Sequence, residues 1–242
     1  MLEVIEALSK MLSGRVVVSE EELKRKALRA GLRVLGIEMK DFTKEDLKEV
    51  VLSFIDCPLS VRSAYFSEKI CLNGVNFYHL HTVKPQPSDL EIAYYEYIKS
   101  KAFLDELEKI MNATDRFFEG YAKEGYFLRL YSSNTKFAVF FTTISDLKED
   151  AEIHIKIASS FDGEYVAVVR TEEKPTEFVE FFRLHSEKFK RNNAKVWVAN
   201  ALGSIDPFIG YPKDLKLISR FKNPRLASRI NSLWREKVDE LD

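Results

Sequence analysis

Glutamine is nearly missing from this chain: Gln86 is the only one in 242 residues. Lys, Arg and Glu are plentiful, a bias that fits a thermophile, where thermolabile amides are scarce and ion pairs common. Cysteine is scarce too. Cys57 and Cys71 make no disulfide framework, and each reads as a small buried hydrophobe. No apolar run approaches the roughly 20 residues needed to span a bilayer. The start, MLEVIEALSK, lacks the charged-then-apolar pattern of a signal peptide, so the expectation is a cytoplasmic protein with no membrane partner. P-loop and dinucleotide fingerprints are absent, which argues against NTPases and Rossmann enzymes. The stretch Gly203-Ser204-Ile205-Asp206 is no nucleophile elbow, because G-x-S-x-G is missing.

What is present fits a globular protein with a sizeable core: 45% hydrophobic residues and 31% charged ones. Net charge is −1, but its distribution is uneven. Between Arg183 and Arg229 eleven Lys/Arg stand against three acids, a local excess of +8. Such a stretch can face phosphate backbones, or it can be a solvated basic face balanced by the acids elsewhere. Lys188, Lys190 and Arg191, followed by Asn192-Asn193, and then Arg220, Lys222 and Arg225 are the candidate contacts to DNA or RNA.

Local signals divide the chain. Val4, Ile5, Leu8 and Leu12 have helical spacing, and GRVVVS (14–19) is β-prone. Ser19 with Glu22, and Thr43 with Asp46, have the spacing of capping boxes that open two helices. Asn73-Gly74 between two alternating runs is a hairpin signal, because a type I′ turn needs positive φ at both positions. This order of helix, strand, two helices and a hairpin resembles that of winged-helix domains over residues 1–84. The helix that would enter a DNA groove there, TKEDLKEVVLSFI, is not basic, which favours protein contacts.

Lys84-Pro-Gln-Pro87 is a stiff linker, and Ser88 with Glu91 suggests a third capping box. The connecting helix (85–113) carries Ile92, Tyr95, Ile98, Phe103, Leu107 and Ile110, which read as core. Tyr94, Tyr95 and Tyr97 could stack bases, though packing suits their spacing better. The second domain, 114–242, is expected to begin with a short helix (115–123). Strands at 126–131 and 136–143 follow, then a hairpin over 150–174 turning at Asp162-Gly163. Last come a helix from Pro175 to about Arg191, a strand at 195–200, an extended piece at 208–212 and a C-terminal helix from Pro224. The fold class is α/β (α+β), with a mixed sheet flanked by helices.

That antiparallel meander followed by a strand–helix–strand crossover resembles the restriction-endonuclease-like nuclease fold. The hairpin would bring Asp150 and Glu152 near Glu172, Glu173 and Lys174, where Glu172-Glu173-Lys174 is a literal E-x-K. The resemblance implies a Mg²⁺ site with Asp150 and Glu172 as ligands, Glu152 and Glu173 beside them, and Lys174 near the attacking water. The same residues also fit ordinary solvated strand ends. Residues 165–200, with EYIKSKAFLDEL and EGYFLRLYSSNTKFAVFF, also resemble archaeal tRNA-splicing endonuclease subunits. That family's catalytic tyrosine falls near Phe140 and its histidine near Asp162. Only its lysine finds a counterpart, in Lys188 or Lys190. This kinship implies a catalytically inactive structural partner.

Three further positions are candidates. Glu68, His79 and His81 would share one face of the hairpin and could ligate zinc, or be buried histidines satisfied by the backbone. His154 is expected on the polar side of its strand, and His185 on a phenylalanine-rich helix. The sequence therefore supports a nucleic-acid-associated protein that is either a Mg²⁺-dependent nuclease or an inactive structural or partner-binding relative. A homodimer or another protein is its further partner class.

Overall fold

The computed structural model describes residues 1–56, 69–80, 83–170, 175–199 and 205–208. The chain divides into two units, Met1–Asp105 and Glu106–Asp242. Among the described residues, no helix is long and apolar enough to cross a membrane. The architecture is mixed α/β, with one antiparallel sheet and one mixed sheet.

The first unit contains α1 (Leu2–Met11), β1 (Val17–Ser19), α2 (Glu20–Leu35), a 3-10 turn (Gly36–Asp41), α3 (Lys44–Ile55), β2 (Lys69–Leu72) and β3 (Val75–His79). Its sheet has the order β1-β3-β2, antiparallel throughout, with Val17 opposite His79 and Ile70 opposite Phe77. Asn73 and Gly74 turn the hairpin with φ of 51° and 78°. Thr43 and Asp46 form the full reciprocal capping box on α3. On α2 only half of the expected box exists. Ser19 Oγ accepts from the Glu22 amide at 3.1 Å, but the Glu22 carboxylate turns inward to Arg15.

The long helix α4 (Pro87–Phe117) begins in this unit. Its cap is not the Ser88–Glu91 pair. Pro87 takes the first turn, where its missing N–H is harmless, and Asp89 Oδ2 accepts from the Gln86 amide at 2.8 Å. Ala93 packs with Val17 and Phe77 in a small core that Tyr94 and Tyr97 flank. Arg25 on α2 donates to Ser100 Oγ at 2.9 Å and pairs with Glu96 at 2.5 Å. The core reading of α4 holds for Phe103, Leu107 and Ile110 and fails for Ile92, Tyr95 and Ile98, which are about half exposed. Cys71 is likewise exposed rather than buried, and Cys57 lies outside the described residues.

In the second unit α4 runs on to Phe117, and no separate helix follows it. The chain goes directly into β4 (Ala122–Glu124), then β5 (Leu128–Ser132) and β6 (Lys136–Phe141). Next come α5 (Ile144–Glu149), α6 (Ala151–Ser160), β7 (Glu164–Arg170), α7 (Pro175–Arg191), β8 (Ala194–Ala199) and β9 (Ile205–Phe208). The sheet order is β4-β5-β6-β7-β8-β9. β6-β7-β8 are parallel, with antiparallel pairs at both edges. Residues 209–212 and the expected C-terminal helix lie outside the described residues.

The expected hairpin over 150–174 is corrected. Residues 151–160 are helical, and β7 pairs parallel to β6, so α5 and α6 form a crossover instead of a strand in a meander. The apolar residues of EIHIKIASS satisfy two periods at once. The helical one wins because Ala151, His154, Ile157 and Ala158 bury a single face. Thr143 caps α5 by accepting from the Asp146 amide at 3.2 Å, and this starts the helical path.

The two faces of the sheet follow the strand period. On one, Phe118 at the end of α4 stacks on Tyr131 (centroids 4.1 Å apart) and lies parallel to Trp197. Buried Arg129 donates to the Met111 carbonyl at 2.9 Å and pairs with Asp115. Arg170 pairs with Glu106 at 2.9 Å. On the other face, Phe140 and Tyr165 meet His154 of α6.

Candidate functional site

Helix α6 redirects the two acids expected to lead a strand. Asp150 sits at the joint of α5 and α6, is 2% exposed and is already engaged within the protein. Its negative charge helps to push up the pKa of Tyr165, after burial, which is the larger cause. Tyr165 stands five residues before Arg170, the last residue of β7, about 16 Å along a strand. Glu152, in the first turn of α6, points outward and accepts from Lys188 Nζ of α7 at 2.6 Å. That ammonium holds the Glu152 carboxyl below its usual range. The two acids thus serve different neighbours. Glu172, Glu173 and Lys174 lie outside the described residues. Among the described residues, no group of three His, Cys, Asp or Glu side chains could hold a metal ion, and the expected Mg²⁺ site draws on residues outside them.

The histidines are structural in their contacts. His79 is buried and donates from Nε2 to the Val83 carbonyl at 2.7 Å, while Glu68 and His81 lie outside the described residues. His154 is not on a polar sheet face. It is 1% exposed, and its Nδ1 is hydrogen-bonded to the Tyr165 hydroxyl at 2.6 Å. His185 packs on Phe181, with ring centroids 5.4 Å apart, and burial lowers its basicity.

Of the candidate phosphate contacts, Lys188 is committed to Glu152 and Lys190 has a partner of its own. Arg183 and Arg191 are exposed on α7, whose last turn is basic. Arg220, Lys222 and Arg225 lie outside the described residues. Two of the three acids of α7 are spent inside its own layer: Lys148 on α5 bridges Glu177 at 2.5 Å and Glu180 at 2.9 Å.

Sequence reasoning missed an open cleft in the first unit, of about 280 Å³, lined by Glu20, Glu21, Lys69, Asn76, Tyr78 and Tyr97 among others. The start of α2 supplies the two carboxylates, the hairpin supplies Lys69 and Tyr78, and α4 supplies Tyr97. The Lys69 ammonium lies 5.7 Å from the centre of the Tyr78 ring, and Glu20 pairs with Lys24 at 2.6 Å. Burial and the nearby charges of Glu20 and Glu21 raise the pKa of Tyr78. Carboxylates beside aromatic faces suit a cationic group on an apolar stem, and they repel phosphate. No single short motif announces this cleft, because its residues come from three separated stretches.

Residues 3–94 match the family described as domain of unknown function (DUF6846). No curated protein matches the chain. Residues 96–223, more than half of the chain, match the family described as domain of unknown function (DUF6834), C-terminal domain, and the chain belongs to that family.

Proposed function

We propose that this protein is a catalytically inactive structural or partner-binding protein associated with nucleic acid, with a winged-helix-like first unit and a nuclease-like second unit. The observation that carries this reading is the separate fate of two acids. Asp150 is buried and engaged, and Glu152 is held on Lys188. A Mg²⁺-dependent nuclease of the expected kind would need one of the two free to join Glu172 at a scissile phosphate. The outward face of α3 supports protein contact over groove reading. It exposes Lys44, Glu45, Lys48, Glu49, Leu52 and Asp56, a mixed and slightly acidic set. The exposed basic end of α7 supports a phosphate-facing surface in the second unit.

The test incubates the full chain with duplex DNA and with RNA in Mg²⁺, alongside Glu172→Ala, and measures binding across a salt series. Neither nucleic acid is cut, and affinity falls steeply as salt rises. Reversing the charge of Arg183 and Arg191 together weakens binding. Cleavage that Glu172→Ala abolishes would overturn the reading in favour of a metal-dependent nuclease. Absence of salt-sensitive binding would remove the nucleic-acid part and leave a protein-binding role.

A further inference from the structure

The N-terminal half of α4 carries a row of apolar side chains that its own unit does not cover. Ile92 is 51% exposed, Tyr95 57% and Ile98 51%. They are spaced three residues apart, so the row runs along about 9 Å of helix. This is not the scattered exposure common on surfaces. The three are consecutive on one helix, while Phe103, Leu107 and Ile110 of the same helix are buried.

The residues around the row have a symmetry that identifies what covers it. Take Tyr95 as a centre and count outward. Ile92 and Ile98 lie three positions away on either side. Glu91 and Lys99 lie four away, an acid matched by a base. Ser88 and Ala102 lie seven away, both small enough to let two backbones approach. All of these positions are within about 60° of Tyr95 around a helix of 3.6 residues per turn. Two copies of α4 laid antiparallel about a two-fold axis at Tyr95 would set Ile92 against Ile98 twice and Glu91 against Lys99 twice. A parallel arrangement in register would oppose Glu91 to Glu91 and Lys99 to Lys99.

We infer that the Ile92–Tyr95–Ile98 face of α4 is a homodimer interface, in which a second copy of the chain packs antiparallel and pairs its Lys99 with Glu91. The interface is isologous, so it closes at two copies and leaves no free end for further growth. It needs no nucleic acid and stands whether or not the chain binds one.

The experiment is sedimentation analysis of the full chain over a wide concentration range, without nucleic acid. The wild type is expected to move from 28.1 kDa toward twice that mass as concentration rises. Tyr95→Arg, which sets two like charges against each other on the axis, is expected to raise the dissociation constant about tenfold or more while helix content stays unchanged. Glu91→Lys and Lys99→Glu each weaken the dimer, and the double exchange restores it. A chain that stays monomeric at every concentration overturns the proposal, as does a dimer indifferent to Tyr95→Arg. A dimer that both single charge changes weaken but the double exchange does not restore overturns the antiparallel register. Restoration by the double exchange also excludes an unrelated protein or another segment of this chain as the occupant.

Discussion

His154 Nδ1 and the Tyr165 hydroxyl lie 2.6 Å apart with no access to water, joining helix α6 to strand β7. In a low-dielectric interior such a bond is worth less for its own strength than for what its loss exposes. Tyr165→Phe keeps the ring and removes the oxygen, leaving a buried imidazole nitrogen without its partner. The expected cost is about 1–3 kcal/mol in urea denaturation with an unchanged slope. In the wild type, burial first and the Asp150 charge second push the Tyr165 pKa well up. The unfolded chain therefore gives up this proton first, near its ordinary value of about 10. Stability falls as pH rises above that value, and Tyr165→Phe reduces the fall. A Tyr165→Phe variant as stable as the wild type at neutral pH would show that the bond does not hold α6 to the sheet.

Glu22 is a buried carboxylate whose Oε2 accepts from Arg15 at 2.9 Å, with Lys26 3.9 Å from its other oxygen. Burial raises its pKa above 4.5 although both cations pull it down. The folded state thus holds this proton more tightly than the unfolded state. The resulting stability is fully present below 4.5 and is lost as pH rises through the folded value. Glu22→Gln is expected to flatten the stability profile just above 4.5. Arg15→Met is expected to cost about 2 kcal/mol at neutral pH, less than the loss of one member of a fully buried pair, because Lys26 remains near. Denaturant midpoints measured across acidic and neutral pH separate the two effects. A Gln variant with the wild-type profile would sink the assignment.

Glycines 163 and 31 look alike in sequence and differ in what surrounds them. A Cβ on Gly163 would stand 2.5 Å from the Lys136 carbonyl oxygen, and backbone does not yield cheaply. On Gly31 it would meet Met39 Sδ at 2.9 Å, in a flexible side chain that can move aside. Gly163→Ala is expected to cost about 1–3 kcal/mol. Gly31→Ala is expected within about 1 kcal/mol of the wild type, because helix propensity gained offsets the repacking. Thermal melts of the two variants should keep this order, and the reverse order would contradict the close approach at Gly163.

Where local chemistry admits one answer, the sequence was readable. Asn73-Gly74 needs two positive φ angles and has them, and the Thr43–Asp46 box closes as its spacing requires. Pro175 opens α7 as expected. Local chemistry misled where a stretch had two consistent readings. EIHIKIASS alternates like a strand, yet burial of Ala151, His154, Ile157 and Ala158 needs the sheet above them, which no window of ten residues contains. That one period turned Asp150 inward and Glu152 outward to Lys188. Ser19 and Glu22 show a subtler case. The spacing located the helix start, but the glutamate was drawn to Arg15, seven residues back. The cleft of Glu20, Lys69 and Tyr97 was illegible because it exists only after three distant segments assemble.

His185 stands between the ion pairs of the helical layer, packed on Phe181, and its Nδ1 has no hydrogen-bond partner among the described residues. Burial lowers its basicity below the ordinary 6.5, partly offset by the nearby Glu152 carboxylate, while Lys188 and Lys148 push in the same direction as burial. The unfolded chain therefore takes up this proton at higher pH than the folded one. Stability is full above 6.5 and is lost as pH falls through the lowered value. His185→Leu removes the proton-binding group and keeps an apolar contact with Phe181. It is expected to match or exceed the wild type at acidic pH and to change little at pH 8, read as denaturant midpoints. If the wild type and the Leu variant lose stability in parallel below pH 6.5, the carboxylate beside His185 cancels the effect of its burial, and the acid sensitivity of this layer comes from the Lys148 and Lys188 ion pairs instead.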